Sequence, residues 1–307
     1  MNVTGRIMLM QQDFFNSEIN PTVRSLREKF IIEPFSILDA NKWVKRKKQW
    51  VDLGIKSELG RDNNLTYGKC SSKEFSHHQT SIFDPVLCEI LYNWFSAKND
   101  KIIDPFAGGS VRGIVANFLG RDYLGIDISK RQIDANIENA KEIIKDNIPK
   151  YLIGDSLTVL DNIENNAFDM CLSCPPYADL EKYSDDLRDL SNMCYDDFIA
   201  AYSGIIKKLY NKMKDDTFTC FVVGEVRNKK SKNGNYYNFV ADTINAFINS
   251  GFEFYNDMIL ETLVGSAAFR CQLPFNSSRK ITKIHQNILV FIKGNAKQAA
   301  IRLNKGA

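Results

Sequence analysis

The alternation of apolar and polar positions predicts strands and helices that follow one another through most of the chain. Short, nearly continuous apolar runs are typical of buried strands, and apolar residues recurring every three or four positions are typical of helices. We predict strands at residues 101–104, 123–127, 151–153, 168–172, 217–223, 258–263 and 287–292, and helices at 110–120, 128–145, 196–214 and 236–249. This order predicts an α/β fold with a doubly wound, mostly parallel seven-stranded sheet and an antiparallel element at its end.

The first 75 residues lack this alternation, and we predict a helical and loop extension there. Within it, residues 43–51 predict a helix with Trp43, Trp50 and Val51 on one side and cations on the other. The cations are Lys45, Arg46, Lys47 and Lys48, of which the first three are candidate nucleic-acid contacts. The helix is either a contact for nucleic-acid phosphates or a solvated basic face whose tryptophans dock on the domain.

Composition limits the class of protein. With 307 residues, 44% of them hydrophobic, the chain can bury one large core and a smaller appendage. Its net charge of +3 does not by itself indicate a nucleic-acid partner. No apolar run approaches the roughly 18 residues of a membrane span, and the N-terminus lacks the apolar region of a signal peptide. We therefore expect a cytoplasmic protein with no membrane partner.

A glycine-containing turn follows the strand predicted at residues 101–104. The turn has the sequence Asp-Pro-Phe-Ala-Gly-Gly, and its glycines permit a tight bend and close approach of a ligand to the backbone. Asp127 ends the next strand roughly twenty residues later, where the ribose diol of a nucleoside cofactor is usually held. Because Gly108, Gly109 and Gly113 lack the spacing G-x-G-x-x-G, the pattern favours a nucleoside without a pyrophosphate over a dinucleotide.

Two further acidic residues follow strand ends. Asp104 can pair with an ammonium group, whereas it would repel a phosphate. Asp155, in a Gly-Asp-Ser turn, can accept a hydrogen bond from an adenine amino group. Singly, each acid is typical of a cap or turn, but three acids at three successive strand ends favour a binding site. S-adenosylmethionine fits these groups, and we expect no metal, because no His, Cys or carboxylate cluster has metal-ligand spacing.

The strand at residues 168–172 leads into Cys174-Pro175-Pro176-Tyr177, which we call the Pro-Pro corner. A residue before proline is held extended, so a backbone carbonyl and the Cys174 side chain turn outward with little freedom. Such preorganised acceptors can orient the poorly nucleophilic amino group of adenine or cytosine. Tyr177 offers a face on which an extruded base can stack. The alternative is a strand-ending turn with a core tyrosine, but the upstream glycine turn favours methylation of a base amino group.

These features, in this order, resemble the S-adenosylmethionine-dependent DNA amino-methyltransferases, which modify adenine-N6 or cytosine-N4. Phage-encoded members are the most similar, and the resemblance covers about residues 76–294. It implies a Rossmann-like methyltransferase fold, S-adenosyl-L-methionine as cofactor and DNA as partner, within a prokaryotic or phage-infected cell and in a restriction-modification context. It also divides the chain into an N-terminal extension (1–75), a catalytic methyltransferase domain (76–294) and a basic tail (295–307).

The resemblance implies roles for individual residues. Residues 81–85 would cover the methionine end of the cofactor, Asp127 would hold the ribose and Asp155 the adenine. The implied cofactor-binding residues are Ser81, Phe83, Asp84, Asp104, Phe106, Gly108, Gly109, Asp127, Ile128, Asp155 and Ser156. The implied catalytic residues, which would bind the target base, are Cys174, Pro175, Pro176 and Tyr177.

Two positions depart from the family pattern. Cys174 stands where the family usually has Asp, Asn or Ser, and because a thiol is a weaker hydrogen-bond partner, the choice between adenine and cytosine stays open. Attack of the Cys174 thiol on a cytosine ring is an alternative that the aromatic corner disfavours. Val111 and Arg112 stand where small hydroxyl residues often begin the helix, and we expect this change to affect packing only.

Two polar segments add candidate contacts. Residues 264–284 are predicted to form a cationic loop that contacts DNA, the alternative being an ordinary surface connection. Its cations are Arg270, Arg279, Lys280 and Lys283. Residues 178–186, which are acidic, are predicted to form a lid over the cofactor and the base.

Three functions stay in view. The first is DNA amino-methylation, and the second keeps the fold and the methyl donor but methylates an RNA base or a protein glutamine. The third is a non-catalytic nucleic-acid-binding subunit, which predicts no donor binding.

Recognition of a DNA sequence needs residues outside the core of the domain. Neither the segment between the glycine turn and the Pro-Pro corner nor the segment after the last strand is long. Recognition of the DNA sequence would therefore fall to the N-terminal extension, the 264–284 loop or a partner subunit. We therefore expect that the protein forms a homodimer or binds a partner subunit.

Overall fold

A computed structural model describes residues 30–56, 59, 83–177, 188–228, 230–262, 264–265 and 267–305. Ser81 and the predicted lid at residues 178–186 lie outside the described residues. Within the described ranges, no helix has both the length and the apolar character needed to cross a membrane.

The described elements alternate as the sequence predicts. The strands are β1 (Ile37–Asp39), β2 (Lys101–Asp104), β3 (Asp122–Asp127), β4 (Lys150–Ile153), β5 (Phe168–Ser173), β6 (Met213–Val223), β7 (Glu253–Glu261) and β8 (His285–Lys293). The α-helices are α1 (Val44–Asp52), α2 (Pro85–Phe95), α3 (Val111–Phe118), α4 (Lys130–Ile143), α5 (Ser156–Val159), α6 (Tyr195–Lys212), α7 (Phe239–Asn249), α8 (Ala267–Arg270), α9 (Gln272–Ser278) and α10 (Ala296–Lys305). Single 3-10 turns occur at Ala40–Trp43, Leu160–Asn162 and Leu190–Asn192.

The strands form one sheet in the order β1-β7-β8-β6-β5-β2-β3-β4. Strands β2 to β6 are parallel to their neighbours in that group, and β8 runs antiparallel to both β6 and β7. The predicted doubly wound, mostly parallel α/β fold is therefore confirmed. The chain proceeds outward from β2 to β4 and then returns to β5, on the other side of β2. In folds of this type, ligands bind where the strand order reverses, beyond the carboxyl ends of the strands.

The sheet has eight strands in the described part of the chain, one more than we predicted. The additional strand, β1, comes from the predicted N-terminal extension and pairs in parallel with β7, with Ile37 opposite Ile259. Three residues are too few to show a strand pattern, and Ile37 is 62% exposed at the edge of the sheet. Part of the N-terminal segment is thus built into the sheet.

Apolar clusters cover both faces of the sheet, which explains the nearly continuous apolar runs of its central strands. All six residues of β5 are buried. On one face, Trp50 packs edge-on against Phe118, with ring centroids 5.0 Å apart. On the other face, Phe247 and Phe291 stack at 3.8 Å. The burial of β5 on both faces fixes the position from which the Pro-Pro corner begins.

Two local predictions are wrong. Val51 is 53% exposed and lies away from the buried face that Trp43 and Trp50 form. The segment 264–284 is not an irregular loop, because it contains helices α8 and α9. The predicted basic tail contains helix α10, in which Arg302 pairs with Asp100 at 2.7 Å.

Candidate functional site

The loop after β2, residues 104–110, depends on glycine at two places: Gly108 within the loop and Gly125 on β3, against which the loop packs. Gly108 has a φ of +50°, in the left-handed region that glycine adopts without strain, and its N–H donates to Asp127 Oδ2 at 2.8 Å. An added Cβ on Gly125 would lie 2.8 Å from the Cβ of Ala107, so the loop packs directly on β3. We call residues 104–110 the cofactor loop.

Asp104, at the end of β2, is fully buried and has four donors within the chain. Its Oδ1 accepts from Phe106 N at 3.0 Å and from Ser173 Oγ at 2.5 Å. Its Oδ2 accepts from Arg112 Nε at 2.6 Å and from Tyr123 Oη at 2.7 Å. A carboxylate offers about four acceptor positions, so the structure's own donors use the acceptor capacity of Asp104.

Arg112 is the functional residue that sequence reading missed. Its guanidinium is buried beside Asp104, and Nη2 also donates to the carbonyls of Phe106 (2.6 Å) and Ala107 (2.9 Å). It lies over the ring of Phe83, 4.7 Å from the centroid. Burial opposes its charge, but the Asp104 carboxylate holds the pKa of Arg112 well above its ordinary value. The change at this position therefore affects more than packing, because Arg112 fastens the cofactor loop.

Asp127 ends β3 beside the cofactor loop, followed by Ile128. Its Oδ1 accepts from Ser129 N at 2.8 Å, in addition to the bond from Gly108. The side chain is partly exposed but has protein atoms on most sides, and this burial raises its pKa to about 6. A carboxylate in this setting gains from additional hydrogen-bond donors such as the two hydroxyls of a ribose.

The loop after β4 is attached to the same site. Asp155 caps helix α5 by accepting from Leu157 N at 2.9 Å. Ser156 Oγ donates to the carbonyl of Pro105 at 2.5 Å, which ties this turn to the cofactor loop. Asp155 remains partly exposed. Asp104, Asp127 and Asp155 thus lie at or just beyond the carboxyl ends of β2, β3 and β4, along one edge of the sheet.

The Pro-Pro corner follows β5 at the same edge. Cys174 Sγ lies 3.7 Å from Tyr177 Oη, and Gln286 Nε2 donates to Tyr177 Oη at 2.7 Å. The Tyr177 ring meets Phe239 edge to face, with centroids 6.1 Å apart. Cys174 and Tyr177 are both partly exposed. Contacts from β8 and α7 therefore fix the orientation of an aromatic ring that is accessible from outside.

The cofactor loop and the Pro-Pro corner lie at adjacent strand ends, on the same edge of the sheet. Strands β2 and β5 are adjacent and parallel, with Ile103 opposite Cys171. The hydrogen bond from Ser173 to Asp104 then joins the last residue of β5 to the last residue of β2. A ligand on the loop and a base on the corner would meet across these two strand ends.

A further acid, Glu225, follows β6 along the same edge. It accepts from the first two N–H groups of α7, those of Phe239 (3.1 Å) and Val240 (3.2 Å). Burial lowers the pKa of Lys283, an effect that the charge of Glu225 opposes. Lys283 thus lies within electrostatic range of Glu225, and its Nζ donates to Asn287 Oδ1 at 3.5 Å.

The predicted basic helix is docked through two of its cations. Arg46 Nη2 pairs with Glu89 at 2.6 Å, and Trp50 Nε1 donates to the same carboxylate at 2.8 Å. Lys47 Nζ lies 3.1 Å from Asp84, which caps α2. The side chain of Lys45 is exposed. These contacts favour the docked alternative for Arg46 and Lys47.

The fold is a Rossmann-like α/β fold, with a glycine-containing loop and a partly exposed aromatic corner at neighbouring strand ends. Residues 24–138 match the N6/N4 DNA methylase family. The predicted resemblance to DNA amino-methyltransferases is confirmed by this match. The matched region contains the cofactor loop and Asp127, and it ends before the Pro-Pro corner.

Individual relatives match less of the chain. The Type II methyltransferase M.HinfI of Haemophilus influenzae is 35% identical over 66 residues, which are 22% of this chain and 18% of that enzyme. The chain therefore spans under a fifth of the length of this curated relative. Among solved structures, TrmN of Thermus thermophilus is 12% identical and covers 69% of this chain and 49% of its own, with a TM-score of 0.45. TTHA0409, also of Thermus thermophilus and complexed with S-adenosyl-L-methionine, is 18% identical over 46% of this chain and 52% of its own, with a TM-score of 0.34.

Proposed function

We propose that this protein transfers a methyl group from S-adenosylmethionine to the exocyclic amino group of a base in DNA, adenine-N6 or cytosine-N4. One observation carries the proposal: the cofactor loop and the Pro-Pro corner lie at adjacent parallel strand ends on one edge of the sheet, joined by the bond from Ser173 to Asp104. The family match favours DNA over the RNA and protein-glutamine alternatives.

The residues present fit the donor. Gly108 keeps the loop backbone open to a ligand, and the partly exposed carboxylates of Asp127 and Asp155 stand where a ribose diol and an adenine amino group can donate to them. When bound, S-adenosylmethionine supplies an electrophilic methyl carbon. We propose that Phe106, which is partly exposed in the loop, lines the sulfonium region.

Asp104 has a different role from the one that the sequence predicted. Its four internal donors leave it no acceptor position for the ammonium group of the donor. We propose that Asp104 and Arg112 shape the cofactor loop and align it with β5. The pair acts on the reaction by positioning, without contact with the reacting atoms.

At the Pro-Pro corner, the side chain and carbonyl of Cys174 accept hydrogen bonds from the amino group of the target base. These bonds turn the nitrogen lone pair out of conjugation and toward the methyl carbon. The Tyr177 ring stacks on the everted base, and Gln286 and Phe239 hold that ring in place. The donor, held by the cofactor loop, Asp127 and Asp155, would supply its methyl group to the amino nitrogen that Cys174 orients, leaving S-adenosylhomocysteine, and the proton released from that nitrogen would pass to solvent.

Nucleoside analysis tests the proposal. The protein is incubated with methyl-labelled S-adenosylmethionine and, separately, with DNA, RNA and protein, and the DNA is then digested and analysed by mass spectrometry. We expect label in DNA only, as N6-methyldeoxyadenosine or N4-methyldeoxycytidine. Label in RNA, in glutamine or as 5-methyldeoxycytidine would contradict it.

Substitutions at Tyr177 test the stacking role. Loss of the ring in Tyr177→Ala should lower the rate of methyl transfer about fivefold or more, because base–aromatic stacking is worth about 1–3 kcal/mol. Donor affinity, measured by calorimetry, should stay within about twofold. Tyr177→Phe keeps the ring and should keep most of the activity. Equal activity of all three proteins would show that the ring does not support the base.

A further inference from the structure

The segment 264–284 lies on the same edge of the sheet as the Pro-Pro corner. Strand β8 is antiparallel to both β6 and β7, so β7 ends, and β8 begins, at the edge where β6 ends. The bond from Gln286 to Tyr177 joins the first residues of β8 to the corner. The segment therefore leaves and rejoins the sheet at the edge that carries the Pro-Pro corner.

Two large apolar side chains project from the segment into solvent. Phe269 is 85% exposed and Leu273 is 78% exposed. They lie on helices α8 and α9, and the bonds Cys271 N to Ala267 O (3.0 Å) and Phe275 N to Cys271 O (3.1 Å) continue the helical pattern across the join. A spacing of four residues then places Phe269 and Leu273 on one face, a turn apart.

Polar and cationic groups accompany this apolar pair. Gln272 and Asn276 are exposed at the helical spacing that puts them on the same face. Residues 264–284 contain no Asp or Glu. The cations of the segment are Arg270, Arg279, Lys280 and Lys283. An occupant of this face must therefore tolerate strong positive charge and accept apolar side chains, which duplex DNA does through its phosphates and its stacked bases.

We propose that Phe269 and Leu273 form a wedge that enters the base stack of duplex DNA beside the everted base. This inference rests on the proposed function, because a base that reaches Tyr177 must leave the duplex. Apolar side chains inserted between base pairs are a known means of unstacking and bending DNA. The wedge occupies the gap and slows the return of the base, while the neighbouring cations hold the backbone.

The test compares two forms of one DNA. Genomic DNA is methylated as native duplex and after heat denaturation, by the wild-type protein and by the Phe269→Ala/Leu273→Ala variant. We expect the variant to lose at least tenfold in rate on duplex DNA and less than twofold on denatured DNA, whose bases are already unpaired. The control Ile301→Ala removes an apolar side chain that is 48% exposed on α10 and should change neither rate. Equal loss on both DNA forms, or no loss, would overturn the wedge.

A binding measurement separates failure of the wedge from failure of the proposed function. Wild-type protein should bind a duplex with one abasic site several-fold more tightly than the intact duplex, and the double variant should lose that preference. If the preference is present but no DNA is methylated, the proposed function fails and the wedge stands. If the double substitution leaves DNA binding unchanged and instead converts a dimer to a monomer, or abolishes binding to anionic lipid vesicles, the wedge is wrong.

Discussion

At the scale of single residues, Asp104 joins the parts of the cleft. Its two oxygens accept from the cofactor loop, from Tyr123 on β3, from Arg112 on α3 and from Ser173 on β5. Because the carboxylate is buried, each of these bonds is made away from competing water. One side chain thus sets the spacing between the donor side and the base side of the site.

Removing the partner of this carboxylate should destabilise the fold. In Arg112→Met, Asp104 keeps its burial but loses its counter-charge, and breaking a buried pair in this way costs about 3–5 kcal/mol. We expect the free energy of unfolding in urea to fall by that amount. The double variant Asp104→Asn/Arg112→Met removes both charges and should lose less. A loss below about 1 kcal/mol for Arg112→Met would show that the ion pair does not hold the loop.

If Asp127 holds the donor as proposed, donor binding should depend on pH. Burial raises its pKa to about 6, so the folded protein binds its proton more tightly than the unfolded chain does. This contribution to stability is complete below a pH of about 4 and is lost as the pH rises through about 6. Accepting from a ribose diol requires the carboxylate, so donor affinity should rise between pH 5 and pH 7.

Calorimetry across this pH range checks the assignment of the transition to Asp127. We expect Asp127→Asn to bind the donor weakly and with little change between pH 5 and pH 7. If the variant keeps the wild-type pH profile, another group titrates and Asp127 does not contact the donor.

At the scale of elements, helix α1 brings the N-terminal segment onto the domain. Trp50 is fully buried against Phe118, and its indole N–H shares Glu89 with Arg46. The neighbouring Val51 faces solvent. Basic side chains of the helix thus contribute to its docking on the domain. The buried tryptophans determine which face of the helix points toward solvent.

Adjacent substitutions on α1 test this docking. Trp50→Ala should lower the free energy of unfolding by about 3–5 kcal/mol, because it leaves a large cavity and removes one of the hydrogen bonds to the buried Glu89 carboxylate. Val51→Ala should change it by less than about 0.5 kcal/mol. Denaturation in urea measures both. Similar effects at the two positions would mean that α1 is not packed as described.

Local sequence patterns predicted the strand ends correctly. They did not predict the role of a residue whose main contact lies on another element. The apolar runs and glycines of β2 to β6 specify a parallel sheet, so the positions of Asp127 and Tyr177 follow from the sequence. The role of Arg112 does not, because its partner lies on another element. Helix α9 was missed because its segment is polar and contains Pro274, which is tolerated in the first turn of a helix.

At the scale of the whole molecule, the topology accounts for the site. The chain runs from β2 out to β4 and returns to β5, so the two loops that flank the reversal point open toward each other. Strand β8 then adds Gln286 to the base side, and the 264–284 segment extends that side outward. The proposed donor and base sites therefore lie on different halves of one sheet.

The affinity for a ligand that joins the methyl donor to the target base tests this arrangement most directly. In such a compound, the sulfonium position of the donor is linked through a short chain to N6 of adenine or N4 of cytosine, and its affinity is compared by calorimetry with that of S-adenosylhomocysteine. We predict that one of the two compounds binds at least tenfold more tightly than S-adenosylhomocysteine, and that Tyr177→Ala removes the gain. If both bind no better than S-adenosylhomocysteine, the loop and the corner do not serve one reaction.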